Sequence, residues 1–111
     1  DGKAYPMAGV LDAKCYDTGK LVRFGYIELS EKESVFLPEN GHIRGHEFHY
    51  FDNEANGTDC VALKPVTGRT YACVNKNARW FIGFPHLYYP SNPAFAAHIV
   101  EIAEQYHKER K

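Results

Sequence analysis

Along the first two-thirds of the chain, apolar residues come in short runs separated by turn residues, a pattern that favours strands over helices. The runs predict strands at Leu21 to Leu29, Gly41 to Phe51, Cys60 to Leu63, Thr70 to Val74 and Trp80 to Phe84. Between them lie Asp17-Thr18-Gly19-Lys20, Pro38-Glu39-Asn40-Gly41, Asn53 to Gly57 and Val66-Thr67-Gly68. These segments carry turn chemistry, because Gly and Asn tolerate positive φ.

The C-terminus has a different period. Asn92 can cap a helix through its side-chain oxygen, and Pro93 then takes the first helical position, where its missing N–H costs nothing. Phe95, Ile99, Ile102, Ala103 and Tyr106 recur at helical spacing and form one apolar stripe, with Glu101, Glu104 and Gln105 turned outward. Lys108, Arg110 and Lys111 suit the negative end of the helix dipole. Burying the stripe contributes roughly 5–10 kcal/mol of gross hydrophobic free energy, so the helix needs a sheet to pack on.

Composition narrows the setting. At 111 residues and 44% hydrophobic, the chain is one domain or part of one. A net charge of -1 and a pI near 6.6 supply no positive field for nucleic acid or an anionic membrane. The longest apolar run, Trp80 to Phe84, is strand-sized, so a soluble protein without a membrane span is expected. Cys15, Cys60 and Cys73 are odd in number and no secretory signal opens the chain, which points to a reducing cytoplasm. Asn56-Gly57-Thr58 fits a glycosylation acceptor but is better explained as a turn. The chain starts at Asp1 and its only methionine is Met7, the expectation being that it begins inside a longer product or after a removed tag.

Two constellations could carry chemistry. The apolar run Trp80 to Pro85 ends in His86, and functional groups of open α/β sheets collect just beyond buried strands. The position suits a general base, but a lone histidine in such a place is more often one hydrogen-bonded to backbone in a partly buried loop, so position alone does not decide its role. In Arg44-Gly45-His46-Glu47-Phe48-His49-Tyr50, strand alternation puts Glu47 and His49 on one face and His46, Phe48 and Tyr50 on the other. Glu47 and His49 lack a third metal ligand at a familiar spacing, so no metal is assigned. A site wall, a domain interface or a polar cluster that fixes the strand's register each fit.

Two motifs are missing. No cysteine has the small residues two positions to either side that a strained nucleophile elbow needs: Ala13 and Asp17 flank Cys15, Thr58 and Ala62 flank Cys60, Tyr71 and Asn75 flank Cys73. A phosphate-binding loop at Gly19-Lys20 would require glycine in place of Lys14 and Ser or Thr in place of Leu21. A nucleotide or other cofactor is therefore not expected in this chain.

Four segments occur in one order and span nearly the whole chain: Tyr5-Pro6-Met7-Ala8-Gly9-Val10-Leu11, Arg23-Phe24-Gly25-Tyr26, Ile43-Arg44-Gly45-His46-Glu47-Phe48-His49-Tyr50, and Gly83-Phe84-Pro85-His86-Leu87-Tyr88-Tyr89-Pro90-Ser91-Asn92-Pro93. Together they resemble the glutamine amidotransferase domain of cobyrinic acid a,c-diamide synthase, and specifically its C-terminal part. The resemblance implies a strand-rich portion of a class I glutamine amidotransferase-like, flavodoxin-like three-layer α/β domain with a C-terminal helix. In that family an N-terminal domain uses ATP and Mg2+ to activate the a and c carboxylates of a corrin in cobalamin biosynthesis. The C-terminal domain releases ammonia from glutamine with a cysteine and a histidine.

By the same resemblance His86 falls on the catalytic histidine, while the cysteine lies upstream of the Met7-Ala8-Gly9-Val10 motif. Arg44, His46, Glu47 and His49 fall in a second signature, near the glutaminase pocket or the face toward the synthetase domain. The wider class usually has glutamate two residues after the histidine; here Tyr88 stands there, so another group must orient His86. The expectation is a fragment of a glutamine-dependent amidoligase, inactive alone, whose partners are the missing N-terminal part, glutamine and the corrin. Apolar surface exposed where strands are missing could favour self-association. The alternatives are a nickel-sirohydrochlorin a,c-diamide synthase and a non-catalytic binding module of the same fold.

Overall fold

In a computed structural model, which describes residues 6, 9, 11–78 and 80–110, the apolar runs form nine strands and the C-terminal period forms one helix. The strands are β1 (Cys15–Asp17), β2 (Arg23–Glu31), β3 (Ile43–His49), β4 (Phe51–Asn53), β5 (Cys60–Leu63), β6 (Thr70–Cys73), β7 (Asn75–Lys76), β8 (Phe81–Ile82) and β9 (His86–Tyr88). A 3-10 turn at Tyr89–Ser91 leads into α1 (Pro93–Glu109). The main sheet has the order β6-β5-β2-β3-β9, with β1-β4 and β7-β8 as separate pairs, and every ladder between these strands is antiparallel. The chain is thus α/β in content, mostly sheet with a single C-terminal helix among the described residues. Tyr5, Met7, Ala8 and Val10 of the first motif, and Lys111 of the basic tail, lie outside the described residues.

Cys60 to Leu63 is a strand as expected. The expected strand from Gly41 to Phe51 instead breaks at Tyr50 into β3 and β4, which join different sheets. The run from Trp80 to Phe84 also shrinks, because only Phe81 and Ile82 find a partner, in β7. Its remaining apolar groups are used in packing: Phe84 stacks on His49 with ring centroids 4.0 Å apart, and Gly83 abuts Val74. His86, expected to end the apolar run, and Leu87 and Tyr88, expected in the loop after it, together form β9 at the sheet edge, with His86 as its first residue.

Alternation sorts the main sheet into two faces. Ile27, Leu29, Ile43, Cys60, Ala62 and Cys73 point inward and join Phe36, Leu37, Val74 and Phe95 in one buried cluster. The helix reaches this core through Phe95, whose ring contacts those of Phe36, Phe81 and Tyr89 at 5.7, 5.3 and 5.9 Å. One turn on, His98 Nδ1 donates to the Phe36 carbonyl at 2.6 Å, and Ile102 packs against the cluster. The docked edge is therefore Phe95, His98 and Ile102. Ile99, Ala103 and Tyr106, expected in the buried stripe, are exposed, so the helix buries less apolar area than its spacing suggests. Asn92 does not cap α1 with its side chain; Nδ2 donates instead to the His42 carbonyl at 2.9 Å, and Pro93 opens the helix as expected.

Glu31 holds the loop under this helix. Its carboxylate accepts the backbone N–H groups of Val35, Phe36 and Leu37 and pairs with Lys76 Nζ at 3.2 Å, with the two side chains 1% and 5% exposed. Lys76 Nζ also donates to the Glu33 carbonyl at 2.8 Å, and Ser34 Oγ donates to the Leu37 carbonyl. Removing one partner of such a pair leaves an uncompensated buried charge and several orphaned donors. Glu31→Ala is therefore expected to lower the unfolding free energy by about 3 kcal/mol in urea titration. A loss below about 1 kcal/mol, the range of an exposed pair, would mean that this carboxylate is not what fixes the loop.

Candidate functional site

Because β3 alternates, the four signature residues separate across the sheet. Glu47 and His49 point to the inner face, whereas Arg44 and His46 point to the open one. This is the division that strand alternation predicts for Glu47, His49 and His46. The register then adds what sequence could not give: Tyr26, His46 and His86 form one transverse row across β2, β3 and β9. The His46 and His86 rings lie 5.1 Å apart at 42°, and both residues are exposed. Arg44 sits one row away between Glu28 and Tyr88. Phe24 and Phe48 fill the row on the other side, with their rings edge to face at 5.6 Å.

The edge strand is seated by Gly45 and Ser91. A Cβ on Gly45 would come within 2.5 Å of the His86 carbonyl oxygen, so only glycine lets β9 lie this close to β3. Ser91 Oγ accepts from Arg44 N–H at 2.8 Å and donates to the Tyr88 carbonyl at 2.7 Å, pinning the far end of β9. His86 is thus held by backbone pairing within an edge strand, not placed just beyond a buried strand as its apolar run suggested.

On the inner face, Glu47 is 4% exposed and accepts a 2.6 Å hydrogen bond from the Tyr71 hydroxyl. Arg23 Nε lies 3.6 Å from the same carboxylate, and its guanidinium stacks over the Tyr71 ring at 4.3 Å. Tyr71 and Arg23 did not stand out in the sequence as partners of Glu47; each reaches it from another strand. His49 donates from Nδ1 to the Phe51 carbonyl at 2.7 Å, leaving a buried Nε2 without a hydrogen bond, 3.9 Å from Glu47. Arg23, Glu47, His49, Tyr71, Cys73 and Phe84 line a small pocket on this side. This cluster and the His46–His86 pair occupy opposite faces of one strand, so they cannot act on the same bound atom from within this chain.

No cysteine lies on a strand-to-helix turn: Cys15 is in β1, Cys60 in β5 and Cys73 in β6. Cys60 and Cys73 face each other in register as free thiols. Burial pushes both up to about 12, and electrostatic repulsion from a neighbouring group, the second thiol for Cys60 and the Glu47 carboxylate for Cys73, adds to the shift. Neutral thiols of this kind are poor nucleophiles. Gly19 and Lys20 sit in the turn after β1, where Asp17 Oδ1 accepts Gly19 N–H at 2.9 Å and no helix follows, so no phosphate cradle forms there. The turn expected at Asn56-Gly57 falls instead at Glu54 and Ala55; Gly57, at φ 90°, forms an isolated bridge with Val74, whose carbonyl fills its Cβ position. Among the described residues no three His, Cys, Asp or Glu side chains come together as a metal site, and no helix is long and apolar enough to cross a membrane.

Sequence comparison makes this chain a homologue of diamide synthases. The relatives are named cobyrinate a,c-diamide synthase. The protein from Fusobacterium nucleatum is 33% identical over 93 residues, covering 80% of this chain and 20% of the relative. That from Caldanaerobacter subterraneus is 33% identical over 87 residues, covering 78% and 18%. That from Thermoplasma volcanium is 30% identical over 116 aligned positions, covering 100% of this chain and 25% of the relative. The chain therefore spans about a fifth to a quarter of the length of these relatives. No family model matches it, and no solved structure matches it.

The buried thiols and Tyr71 set a pH dependence. Burial, followed by the Glu47 hydrogen bond, raises Tyr71 as well, above its ordinary 10.0. In the unfolded chain the cysteines ionise near 9.0, while in the folded chain they hold their protons to about 12. Their contribution to stability is complete below pH 9 and is lost as pH rises toward 12. Urea midpoints should fall between pH 9 and 11, less steeply in a Cys60→Ala, Cys73→Ala double variant. Equal slopes for the two proteins would show that these thiols do not carry the effect.

Proposed function

We propose that this chain is part of a glutamine-hydrolysing, ATP-dependent amidoligase that amidates the a and c carboxylates of cobyrinic acid in cobalamin biosynthesis, and that His86 is its glutaminase histidine. The observation that carries the reading is an imidazole standing exposed on an open sheet face, within the segment that resembles the histidine motif of that family. A ring presented this way is available to a nucleophile from outside the described residues, and neither buried thiol of this chain is suited to that role. The reading places the thiol, and the ATP and Mg2+ chemistry, in other parts of the complete enzyme, and places the domain within a class I, flavodoxin-like amidotransferase fold. The open aromatic face of Phe24, Tyr26, Phe48 and Tyr88 supports a contact there with the rest of the protein. An exposed free Cys15 fits a reducing cytoplasm.

In this scheme His86 takes the proton of the attacking cysteine thiol as sulfur adds to the glutamine amide carbon. It returns the proton to the leaving nitrogen as the carbon–nitrogen bond breaks and ammonia departs. Water then cleaves the thioester to glutamate, with the same ring as base. Proton transfer of this kind contributes roughly 10²- to 10⁴-fold in rate. The isolated chain is expected to show no glutaminase activity.

In the complete enzyme, His86→Ala should abolish glutamine-driven amidation of the corrin and leave ammonia-driven amidation largely intact. Equal loss of both activities, or retention of glutamine-driven turnover, would sink the assignment. An upstream reading frame without an elbow cysteine would count against it as well.

A further inference from the structure

If His86 is the glutaminase base, some group must orient its ring. The residue two positions on is Tyr88, whose side chain is a phenol in place of a carboxylate, directed to the open face and 62% exposed. The other signature residues are poorly placed. Glu47 and His49 point through the sheet to the inner face, and Arg44 stands one row away, opposite Tyr88. Only His46 shares the row of His86 on β3.

We propose that His46 is a positioning residue that orients His86 by ring-to-ring contact, an inference that rests on the reading of His86 given above. Three features carry it. The two residues are register partners, and their rings meet at 5.1 Å with a 42° tilt. β3 is an interior strand flanked by β2 and β9, whereas β9 is an edge strand of three residues. The His46 ring is therefore on the better-fixed backbone and acts as the template for the ring on the weaker one. Gly45 sets the spacing, since any Cβ there would push the His86 carbonyl away and separate the two rings.

An exposed side chain on an edge strand otherwise moves among its staggered rotamers, and a general base works only within a narrow range of orientation. A flat neighbour on the interior strand removes some of those rotamers sterically. It needs no hydrogen bond and no charge to do so. His46 touches neither glutamine nor the thiol in this scheme; its effect passes through His86.

The test compares glutamine-driven and ammonia-driven amidation in the complete enzyme carrying His46→Ala, His46→Phe or His86→Ala. His46→Ala should lower the glutamine-driven kcat by about 10- to 100-fold, with KM for glutamine changed less than about twofold and the ammonia-driven rate retained. His46→Phe, which keeps a flat ring and loses the nitrogens, should recover most of that rate. An unchanged kcat in His46→Ala overturns the proposal, as does a rise in KM alone, a parallel loss of the ammonia-driven rate, or a Phe variant no better than Ala. Failure of the underlying reading is distinguishable: it shows as glutamine-driven turnover surviving in His86→Ala, whatever His46 does.

Discussion

The buried carboxylate of Glu31 is the interaction on which the rest of the architecture hangs. A carboxylate taken from water costs several kcal/mol unless hydrogen bonds and an opposite charge replace its hydration. Here the N–H groups of residues 35–37 and the Lys76 ammonium do so. The consequence is larger than the pair itself, because it converts a polar loop into a floor for the helix. Phe36 and Leu37 become core residues, the Phe36 carbonyl faces His98, and the Phe36 ring meets Phe81 and Phe95. With α1 fixed, the segment just before it is fixed as well: Asn92 reaches the His42 carbonyl and Ser91 reaches Arg44. That segment is the continuation of β9, so the backbone of His86 is held at one remove by the Glu31 carboxylate.

β3 divides its labour by face. Toward the interior, Glu47 shares its charge with Arg23 and the Tyr71 hydroxyl, and the low dielectric that strengthens those contacts also raises the Tyr71 phenol and the Cys73 thiol. Toward the open side, the same strand presents Arg44, His46 and Phe48 to solvent. A polar run such as Arg44 to Tyr50 looks like one site on paper. In the sheet it is two, and a slip of a single residue in register would exchange them.

What could be read from the sequence was local. The helix start at Pro93 and the strand from Cys60 to Leu63 depend on neighbours in the chain, and both are where the pattern puts them. The face assignment of Glu47 and His46 follows from strand geometry alone. β9 escaped because Leu87-Tyr88-Tyr89-Pro90 has the composition of a loop, and its pairing depends on Gly45, forty-odd positions earlier. Glu31 gave no signal, since a glutamate within Ser30-Glu31-Lys32-Glu33-Ser34 looks solvated until Lys76 is known to lie beside it. The docked edge of the helix departs from its apolar stripe for a related reason: His98, a polar residue, takes a place there because a carbonyl from the loop accepts its hydrogen bond.

The same dependence on remote partners explains the one strained residue in the core. Val74 is fully buried with φ 71°, a left-handed conformation that a β-branched residue adopts only under constraint. Gly57 and Gly83 make it possible, since a Cβ at the first would strike the Val74 carbonyl at 2.1 Å and one at the second its Cγ2 at 2.9 Å. The turn separates Thr70–Cys73, which extend the main sheet, from Asn75–Lys76, which leave it to pair with β8. Lys76 is thereby carried to Glu31, and Phe81 to Phe36 and Phe95. Strain of the order of 1–3 kcal/mol at one backbone position is thus offset where the chain gains both the ion pair and the aromatic cluster. An unstrained path that ran β6 straight on would forgo the two contacts that seat the helix and, through it, the strand bearing His86.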